Sequence, residues 1–181
     1  MRVISGEFRS RKLEEVNSEK TRETKDRVKE SIFNSISPVL NDADVLDLFA
    51  GSGSLGIEAL SRGSKECTFV DRMPEAIRVI RSNIKNLHIE NRAEIYFGNY
   101  EDFLAKTYHP FDIILLDPPY TMDVIDDIIK EIAHKKLLNE DGIIVCLYSK
   151  NNSLKTENNG IIEYKKKTSG ITNISYMKWG V

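Results

Sequence analysis

The feature that most constrains the fold of this chain is a regular alternation of short apolar runs with amphipathic segments. Five strand-like runs are predicted at 44–49, 66–71, 93–98, 111–117 and 142–149. Helical periodicity connects them, in segments at 54–63, 74–87, 100–107 and 122–138. Strands that alternate with helices form a parallel sheet with helices on both faces. The sequence therefore predicts a doubly wound, mostly parallel α/β fold.

The end of the chain adds to this sheet. Two further strands are predicted at 161–168 and 173–179, after a polar loop at 150–160. Because only four residues separate them, these strands pair as an antiparallel hairpin. We therefore expect seven strands in total.

The start of the chain has a different pattern. The stretch "RVISGEFRSRKL" alternates weakly around a glycine, which predicts a short β-hairpin. A helix is predicted at 26–37, and Pro38 should end it. We therefore expect an N-terminal arm at 1–25 and a main domain at 26–181.

Composition narrows the class of protein. With 181 residues and a hydrophobic fraction of 40%, the chain can form one domain with a buried core. No apolar run approaches the ~20 residues of a membrane span, and the N-terminus lacks the apolar core of a secretory signal. Cys67 and Cys146 lie in strand-like runs, at a spacing that suits neither a zinc site nor a redox motif. We therefore expect a cytoplasmic protein with reduced, buried thiols, no membrane contact and no metal.

Charge is distributed unevenly along the chain. The formal net charge is −2, but residues 1–30 carry +2, residues 150–181 carry +4 and residues 31–149 carry −8. Basic ends around an acidic centre would suit a protein that holds a polyanion with its termini. Charge also fluctuates along any chain, so the distribution alone leaves both interpretations open.

A glycine-rich loop follows the first predicted strand. In "DLFAGSGSLG", Gly51, Gly53 and Gly56 match the pattern G-x-G-x-x-G between a strand and a helix. Asp71 ends the next strand, where a carboxylate can accept hydrogen bonds from both hydroxyls of a ribose. This context predicts a nucleoside cofactor. A tight strand-to-helix turn that needs glycine for steric reasons is the alternative.

The loop leaves the identity of the cofactor open. NAD would place its pyrophosphate at the N-terminus of the helix. S-adenosylmethionine has no phosphate, and its amino-acid end and sulfonium would favour a nearby acid. Asp47 precedes the loop and could bind an ammonium group directly or through water. Its alternative role is to cap neighbouring backbone N–H groups.

The sequence "DPPY", Asp117 to Tyr120, follows the fourth predicted strand at the same sheet edge. To attack a methyl group, the nitrogen of an exocyclic amine on a nucleobase must become more tetrahedral and lose a proton, and two hydrogen-bond acceptors can promote this change. The Asp117 carboxylate and the Pro118 carbonyl could accept its two N–H bonds, and Pro118 and Pro119 would keep both acceptors rigid. Tyr120 would offer a flat face for the base. The alternative is a turn that ends a strand, with Tyr120 in the core.

The combination of these motifs resembles the Rossmann-like, S-adenosylmethionine-dependent amino-methyltransferases that carry an acid or amide before Pro-Pro-aromatic. Within them the chain resembles the RsmD family of bacterial 16S ribosomal RNA guanine-N2 methyltransferases. The resemblance includes "RVISGEFRSRKL", "RETKDRVKESIFNSI", "DLFAGSGSLGIEALSRG" and "DPPY", and more loosely "SGITNISYMKW". It implies a seven-stranded methyltransferase sheet, S-adenosylmethionine as methyl donor with S-adenosylhomocysteine as product, and catalysis at the DPPY loop.

The resemblance also implies roles for individual residues. The expected cofactor-binding residues are Asp47, Phe49, Ala50, Gly51, Gly53, Asp71, Arg72, Met73, Asn99 and Tyr100. The expected catalytic residues are Asp117, Pro118, Pro119 and Tyr120. The expected RNA-binding residues are Arg9, Arg11, Lys12, Thr24 and Arg27.

Two departures bear on the substrate that the resemblance implies. Glu23 stands where the family usually has proline, so an acid lies beside the expected RNA face. The protein is also net acidic and must find RNA through local basic patches. An assembled small ribosomal subunit, or a late assembly intermediate, is therefore the expected partner of a monomeric enzyme.

Three other functions remain open from the sequence. DPPY would also suit an adenine-N6 methyltransferase on RNA or DNA, although no separate sequence-reading domain is visible. The glycine pattern would suit a nicotinamide-dependent oxidoreductase, although no hydride-transfer acid is evident. A non-enzymatic binding module would not need the DPPY loop intact.

Overall fold

The computed structural model describes residues 1–16 and 26–181. One sheet runs through the molecule. Its strands are β1 (Asp44–Asp47), β2 (Glu66–Asp71), β3 (Ala93–Phe97), β4 (Phe111–Leu116), β5 (Leu138–Ser149), β6 (Glu157–Asn158), β7 (Ile161–Ser169) and β8 (Thr172–Trp179). The α-helices are α1 (Asp26–Leu40), α2 (Ser54–Ser61), α3 (Pro74–Leu87), α4 (Tyr100–Lys106) and α5 (Ile125–Lys135). The doubly wound α/β prediction is confirmed.

The order of the strands positions the functional edge. They lie in the order β3-β2-β1-β4-β5-β8-β7-β6. The first five strands are parallel to one another. Each pair of neighbours from β5 through β8 and β7 to β6 is antiparallel. The order reverses between β1 and β4, so the chain leaves these neighbours in opposite directions. Their carboxyl ends therefore border a crevice, where ligands bind in sheets of this kind.

Helices cover both faces of the sheet. On one face α1, α2 and α3 pack against side chains such as Ile113 and Leu115 of β4. On the other face α4 and α5 pack against Ile114 and Leu116. All four of these β4 side chains are fully buried. The near-continuous apolar run predicted a strand covered on both sides, and the structure agrees.

The sheet has eight strands, one more than the sequence indicated. The additional strand is β6, two residues long, which lies inside the predicted loop at 150–160 and pairs with the start of β7. A two-residue strand is too short to show an alternation of apolar and polar residues. The helix predicted at 122–138 is also shorter, because Lys136 adopts a left-handed conformation and ends α5.

Pro38 lies inside α1 and does not end it. Proline has no N–H to donate to the carbonyl four residues earlier, which here belongs to Asn34. The Ser37 hydroxyl donates to that carbonyl at 3.3 Å. This substitute hydrogen bond lets the last turn of α1 continue to Leu40.

The N-terminal segment packs closely on the sheet domain. The predicted hairpin is reduced to one bridge between Arg2 and Lys12. Val3, Phe8 and Leu13 are buried in the same core cluster as α1 and α2. A segment that shares the core of its neighbours is held in place by them. These three side chains therefore anchor the N-terminal segment to α1 and α2.

Gly6 shows how close the segment approaches α2. Its φ is +88°, and a Cβ added there would lie 1.9 Å from the Ser61 carbonyl oxygen. The Ser61 hydroxyl donates to the Ser5 carbonyl at 2.7 Å and accepts the Phe8 N–H at 2.9 Å. Only glycine permits this backbone conformation and this distance together.

None of the helices in the described part of the chain combines the length and the hydropathy that a bilayer crossing requires.

Candidate active site

A cavity of about 350 Å³ opens at the carboxyl ends of the parallel strands. Its size falls within the range of small-molecule and cofactor sites. Four segments of the chain, one after each of β1, β2, β3 and β4, surround it. The lining residues are Leu48, Phe49, Ala50, Gly51, Ser54, Leu55, Asp71, Arg72, Met73, Pro74, Gly98, Asn99, Tyr100, Glu101, Asp117, Pro119 and Met122.

The glycine loop forms one wall of this cavity. Ala50 donates its N–H to the Val70 carbonyl at 3.0 Å, which holds the loop to the end of β2. Gly51 and Gly53 have φ values of +58° and +83°, and Gly53 immediately precedes α2. These left-handed conformations turn the chain sharply from strand to helix. Gly51 lines the cavity, whereas Gly53 shapes the turn behind it.

The third glycine of the pattern has a packing role. A Cβ on Gly56 would lie 2.4 Å from Phe69 Cε1 and 2.6 Å from Cys67 Sγ. Both contacts are shorter than any van der Waals separation. Gly56 therefore lets α2 lie directly against β2, which brings the helix N-terminus to the cavity.

Asp71 holds the two walls of the cavity together. Its Oδ2 accepts the N–H of Gly51, and its Oδ1 accepts the N–H of Met73, both at 2.9 Å. Burial raises the pKa of this carboxyl, and the backbone donors act in the opposite direction. Each oxygen has a second lone pair for a ligand. The geometry thus suits the two hydroxyls of a ribose.

Asp47 lies behind the loop and does not line the cavity. It is 1% exposed, and its Oδ2 accepts the Gly56 N–H at 3.0 Å. The sequence offered two roles for this acid, ammonium binding and helix capping. The structure shows a hydrogen bond to the first turn of α2, as capping requires, and the expected part of Asp47 in cofactor binding stays a prediction.

An aromatic pair forms a further wall. The rings of Phe49 and Tyr100 lie with centroids 5.3 Å apart. Asn99 beside them begins the turn into α4, and Gly98 donates its N–H to the Asp71 carbonyl at 3.0 Å. Flat apolar surface next to an amide side chain suits a nucleobase. Together with Asp71, these residues fit an adenosine group such as that of S-adenosylmethionine.

The DPPY loop completes the cavity from the opposite side. Asp117 and Pro119 line it, and Pro118 is buried. The Tyr120 hydroxyl shares a hydrogen bond of 2.6 Å with the hydroxyl of Thr172, the first residue of β8. The motif is therefore fixed to two strands, with its acid directed at the same space as the cofactor loop.

The residues expected to bind RNA lie outside the cavity. Arg9, Arg11, Lys12 and Arg27 are exposed on the N-terminal segment and the first turn of α1. Arg11 donates to the Asn86 carbonyl of α3 at 2.9 Å. Thr24, the fifth residue in that prediction, lies outside the described residues, as does the neighbouring acid at position 23.

Sequence reasoning missed several residues of the site. Leu48, Ser54, Leu55, Pro74, Gly98, Glu101 and Met122 all line the cavity. Sequence position could have identified them, since each lies within three residues of a predicted site residue. Asn83 had no such signal. It is buried in α3, and its Nδ2 donates to the carbonyls of Ser52 and Glu14, so it connects the glycine loop to the N-terminal segment.

The remaining titratable groups lie away from this cavity. Cys67 and Cys146 are free and buried, as predicted, and burial raises the pKa of both thiols. Asp44, Glu66 and His109 form a group at the opposite sheet edge whose ligand atoms lie within 4.8 Å of one another. The expectation that the protein uses no metal stays a prediction.

Known proteins share this sequence and this fold. The family described as Conserved hypothetical protein 95 matches residues 1–178. The Bacillus subtilis protein YlbH is 42% identical, with 98% of each chain covered. Ribosomal RNA small subunit methyltransferase D of Haemophilus influenzae is 36% identical over 96% of this chain and 91% of its own length.

A solved structure supports the same relationship. The Escherichia coli protein yhhF superimposes with a TM-score of 0.90 at 30% identity, covering 99% of this chain and 97% of that chain. The sequence match extends over the glycine loop, the DPPY loop and the N-terminal segment alike, since it spans residues 1–178. This chain belongs to the Conserved hypothetical protein 95 family, the RsmD family of S-adenosylmethionine-dependent methyltransferases.

Proposed function

We propose that this protein transfers the methyl group of S-adenosylmethionine to the exocyclic N2 amine of a guanine in 16S ribosomal RNA. The observation that carries the proposal is that Asp117 and Pro119 border the same cavity as Gly51 and Asp71. The wall expected to bind the nucleoside and the rigid DPPY loop that supplies the acceptors thus border the same cavity. Relatives named ribosomal RNA small subunit methyltransferase D support the choice of RNA.

The residues of the cavity divide the work between them. Asp71 would hold the ribose hydroxyls, and Phe49 and Tyr100 would lie beside the adenine. Bound S-adenosylmethionine supplies an electrophilic methyl group. Gly51 would let the cofactor approach the backbone closely at that end of the cavity, because it has no side chain to fill the space.

The DPPY loop would prepare the amine. The Asp117 carboxylate accepts one N–H of the guanine amine, and the Pro118 carbonyl accepts the other. Both acceptors would draw the lone pair out of conjugation, so the nitrogen could attack the electrophilic methyl group that bound S-adenosylmethionine would supply, with S-adenosylhomocysteine as the leaving group. The proton that the nitrogen then loses passes to Asp117 or to water. Because the loop is already fixed, ordering costs little at this step.

Tyr120 would hold the target base. Its hydroxyl is bound to Thr172, which limits rotation of the ring. A fixed aromatic face can stack on a base that has left its helix, and such stacking contributes ~1–3 kcal/mol per base. The substrate in this proposal is RNA within a small subunit or a late assembly intermediate, and the enzyme acts in the cytoplasm as a monomer.

The test is methyl transfer from labelled S-adenosylmethionine into undermodified small ribosomal subunits, with naked 16S RNA and duplex DNA in parallel. Nucleoside analysis should find the label in N2-methylguanosine. Label in N6-methyladenine would retain the mechanism and overturn the assignment of guanine as the target base, since both amines suit the same two acceptors. Tight binding of NADH without binding of S-adenosylmethionine would overturn the assignment of S-adenosylmethionine as the cofactor.

A further inference from the structure

Two lysine side chains converge on one hydroxyl beside the catalytic edge of the sheet. Lys165 and Lys167 of β7 donate to Ser35 Oγ of α1, at 3.2 and 3.0 Å. The two ammonium groups share one neutral acceptor, so they lie close to each other. Lys165 also lies over the Tyr176 ring, 5.4 Å from its centroid.

No carboxylate compensates these two charges within the described residues. Neither lysine forms an ion pair with an acid in residues 1–16 or 26–181. Two like charges at short range repel each other, and a hydroxyl carries no charge to offset them. An anion bound between them would remove the repulsion, because a phosphate accepts hydrogen bonds from both ammonium groups at once. The Ser35 hydroxyl donates its own hydrogen to the Ser31 carbonyl at 2.9 Å and so serves the lysines as an acceptor.

The position of the pair relates it to the reaction. Lys167 is opposite Ile174 in the β7–β8 hairpin, two residues along β8 from Thr172. Thr172 is the residue that binds the Tyr120 hydroxyl of the DPPY loop. Two residues of a strand span about 7 Å, and adjacent strands lie about 5 Å apart. The pair therefore lies on the strand next to the one that binds the DPPY loop.

Alternation along β7 separates a third lysine from the pair. Lys166 is on the other face of the sheet, near the Tyr148 ring, whose centroid is 5.8 Å from its Nζ. The three consecutive lysines are thus two groups, because successive side chains of a strand point to opposite faces. Simple protection of an exposed strand edge by charge would not direct two of them at one hydroxyl of α1.

We infer that Lys165 and Lys167, which converge on Ser35, form a binding site for one backbone phosphate of the substrate RNA, near the nucleotide that enters the active site. The inference rests on the proposed function and adds a contact on α1 and β7 to those expected from the N-terminal segment. Phosphate contacts of this kind fix the register of a nucleic acid without reading its sequence.

The experiment compares K165Q/K167Q with the matched control K166Q, which removes a lysine from the same strand on the opposite face. Binding of a labelled small-subunit RNA fragment is measured by fluorescence anisotropy over a series of salt concentrations. For K165Q/K167Q we expect affinity to fall on the order of tenfold at low salt. The slope of log affinity against log salt should fall by about one in K165Q/K167Q, because the two lysines together neutralise one phosphate.

Two further measurements complete the test. S-adenosylmethionine affinity should be unchanged in both variants, and K165R/K167R should restore RNA binding. The inference is overturned if K165Q/K167Q retains the affinity and salt slope of the K166Q control. Methyl transfer by the unaltered protein is recorded separately, so a lack of N2-methylguanosine would count against the proposed function and leave the binding comparison decisive for the lysine pair.

Discussion

Asp117 is the residue on which the proposed chemistry depends most directly. It lines the cavity immediately after β4, opposite the glycine loop. Loss of one preorganised acceptor of a transition-state charge or proton lowers kcat by about 10²–10³-fold. We therefore expect Asp117→Ala to reduce methyl transfer by that factor in single-turnover assays with undermodified subunits.

Cofactor affinity distinguishes this role from a structural one. Asp117→Ala should change S-adenosylmethionine affinity little, as measured by calorimetry, because the proposed cofactor contacts are made by Asp71 and by the aromatic wall of Phe49 and Tyr100. Asp117→Asn keeps the shape of the side chain and one oxygen acceptor. Its rate of methyl transfer should fall between those of the unaltered protein and Asp117→Ala. Undiminished turnover in the alanine variant would remove Asp117 from the mechanism.

Asp71 should control cofactor affinity and its dependence on pH. Its two oxygens accept backbone N–H groups at 2.9 Å and face the cavity. Asp71→Ala should weaken S-adenosylmethionine binding at least tenfold, since a hydrogen bond to a charged group contributes about 1.5–3 kcal/mol.

The pH effect follows from the buried position of this carboxyl. Burial raises its pKa, so it takes up a proton at a higher pH than an ordinary aspartate. Protonation removes an acceptor from the ribose hydroxyls. Affinity measured by calorimetry should therefore fall on acidification, beginning above the usual range of aspartate, and an affinity that is constant down to that range would contradict this role.

Tyr120 combines a ring and a hydroxyl that can be tested separately. Tyr120→Ala should raise the KM for subunits by an amount equivalent to ~1–3 kcal/mol if the ring stacks on the target base. Tyr120→Phe keeps the ring and loses only the Thr172 hydrogen bond, so its effect should be near 1 kcal/mol. An unaltered KM in the alanine variant would mean that the ring serves packing alone.

At the scale of elements, the N-terminal segment is attached to α1 and α2 by a buried acid. Glu58 of α2 is fully buried, and its two carboxylate oxygens accept the N–H groups of Ile4 and Ser5 at 3.0 and 3.1 Å. The same carboxylate pairs with Lys29 at 3.6 Å and Arg62 at 2.9 Å. Removal of one member of a buried ion pair costs about 3–5 kcal/mol.

We therefore expect Glu58→Ala to lower the free energy of unfolding by about 3–5 kcal/mol in chemical denaturation. The matched control is Glu7→Ala, which removes an exposed ion pair to Arg92 and should cost less than about 1 kcal/mol. Equal losses in the two variants would show that the buried cluster does not hold the segment in place.

The elements that the sequence predicted well are those whose signals are local. The strand β1, the glycine loop and α2 follow one another without interruption, so a strand pattern, a turn pattern and a helix pattern located one wall of the cavity. The loop at 117–120 was found for the same reason, because it directly follows the most apolar strand. Topology then placed both loops at one edge of the sheet.

The elements that the sequence did not predict depend on distant partners. Lys136 ends α5 in a left-handed conformation that is usual for glycine, so the sequence did not mark this boundary. Asp47 was compatible with two roles, and the hydrogen bond to Gly56 that supports capping depends on the packing of α2 against β2. Asn83 is bound to residues 31 and 69 positions away, which no local pattern could indicate.

At the scale of the whole molecule, charge limits how the protein can find its substrate. The chain is net acidic, with a net charge of −8 between residues 31 and 149 and a net positive charge at each of its two ends. A naked RNA would be held mainly through phosphate contacts, whose affinity falls steeply as salt rises. An assembled subunit also presents a fixed surface, and salt weakens contacts that depend on shape complementarity much less than it weakens exposed charge contacts.

We therefore expect salt to separate the two substrates. Between about 50 and 200 mM salt, methyl transfer to naked 16S RNA should fall by a larger factor than transfer to undermodified subunits. The measurement is kcat/KM for both substrates over this range, with S-adenosylmethionine saturating throughout and a pre-methylated subunit as the blank. Parallel decline of the two rates would show that phosphate contacts alone recruit the protein, in which case the basic ends of the chain, and not the shape of the assembled particle, select its substrate.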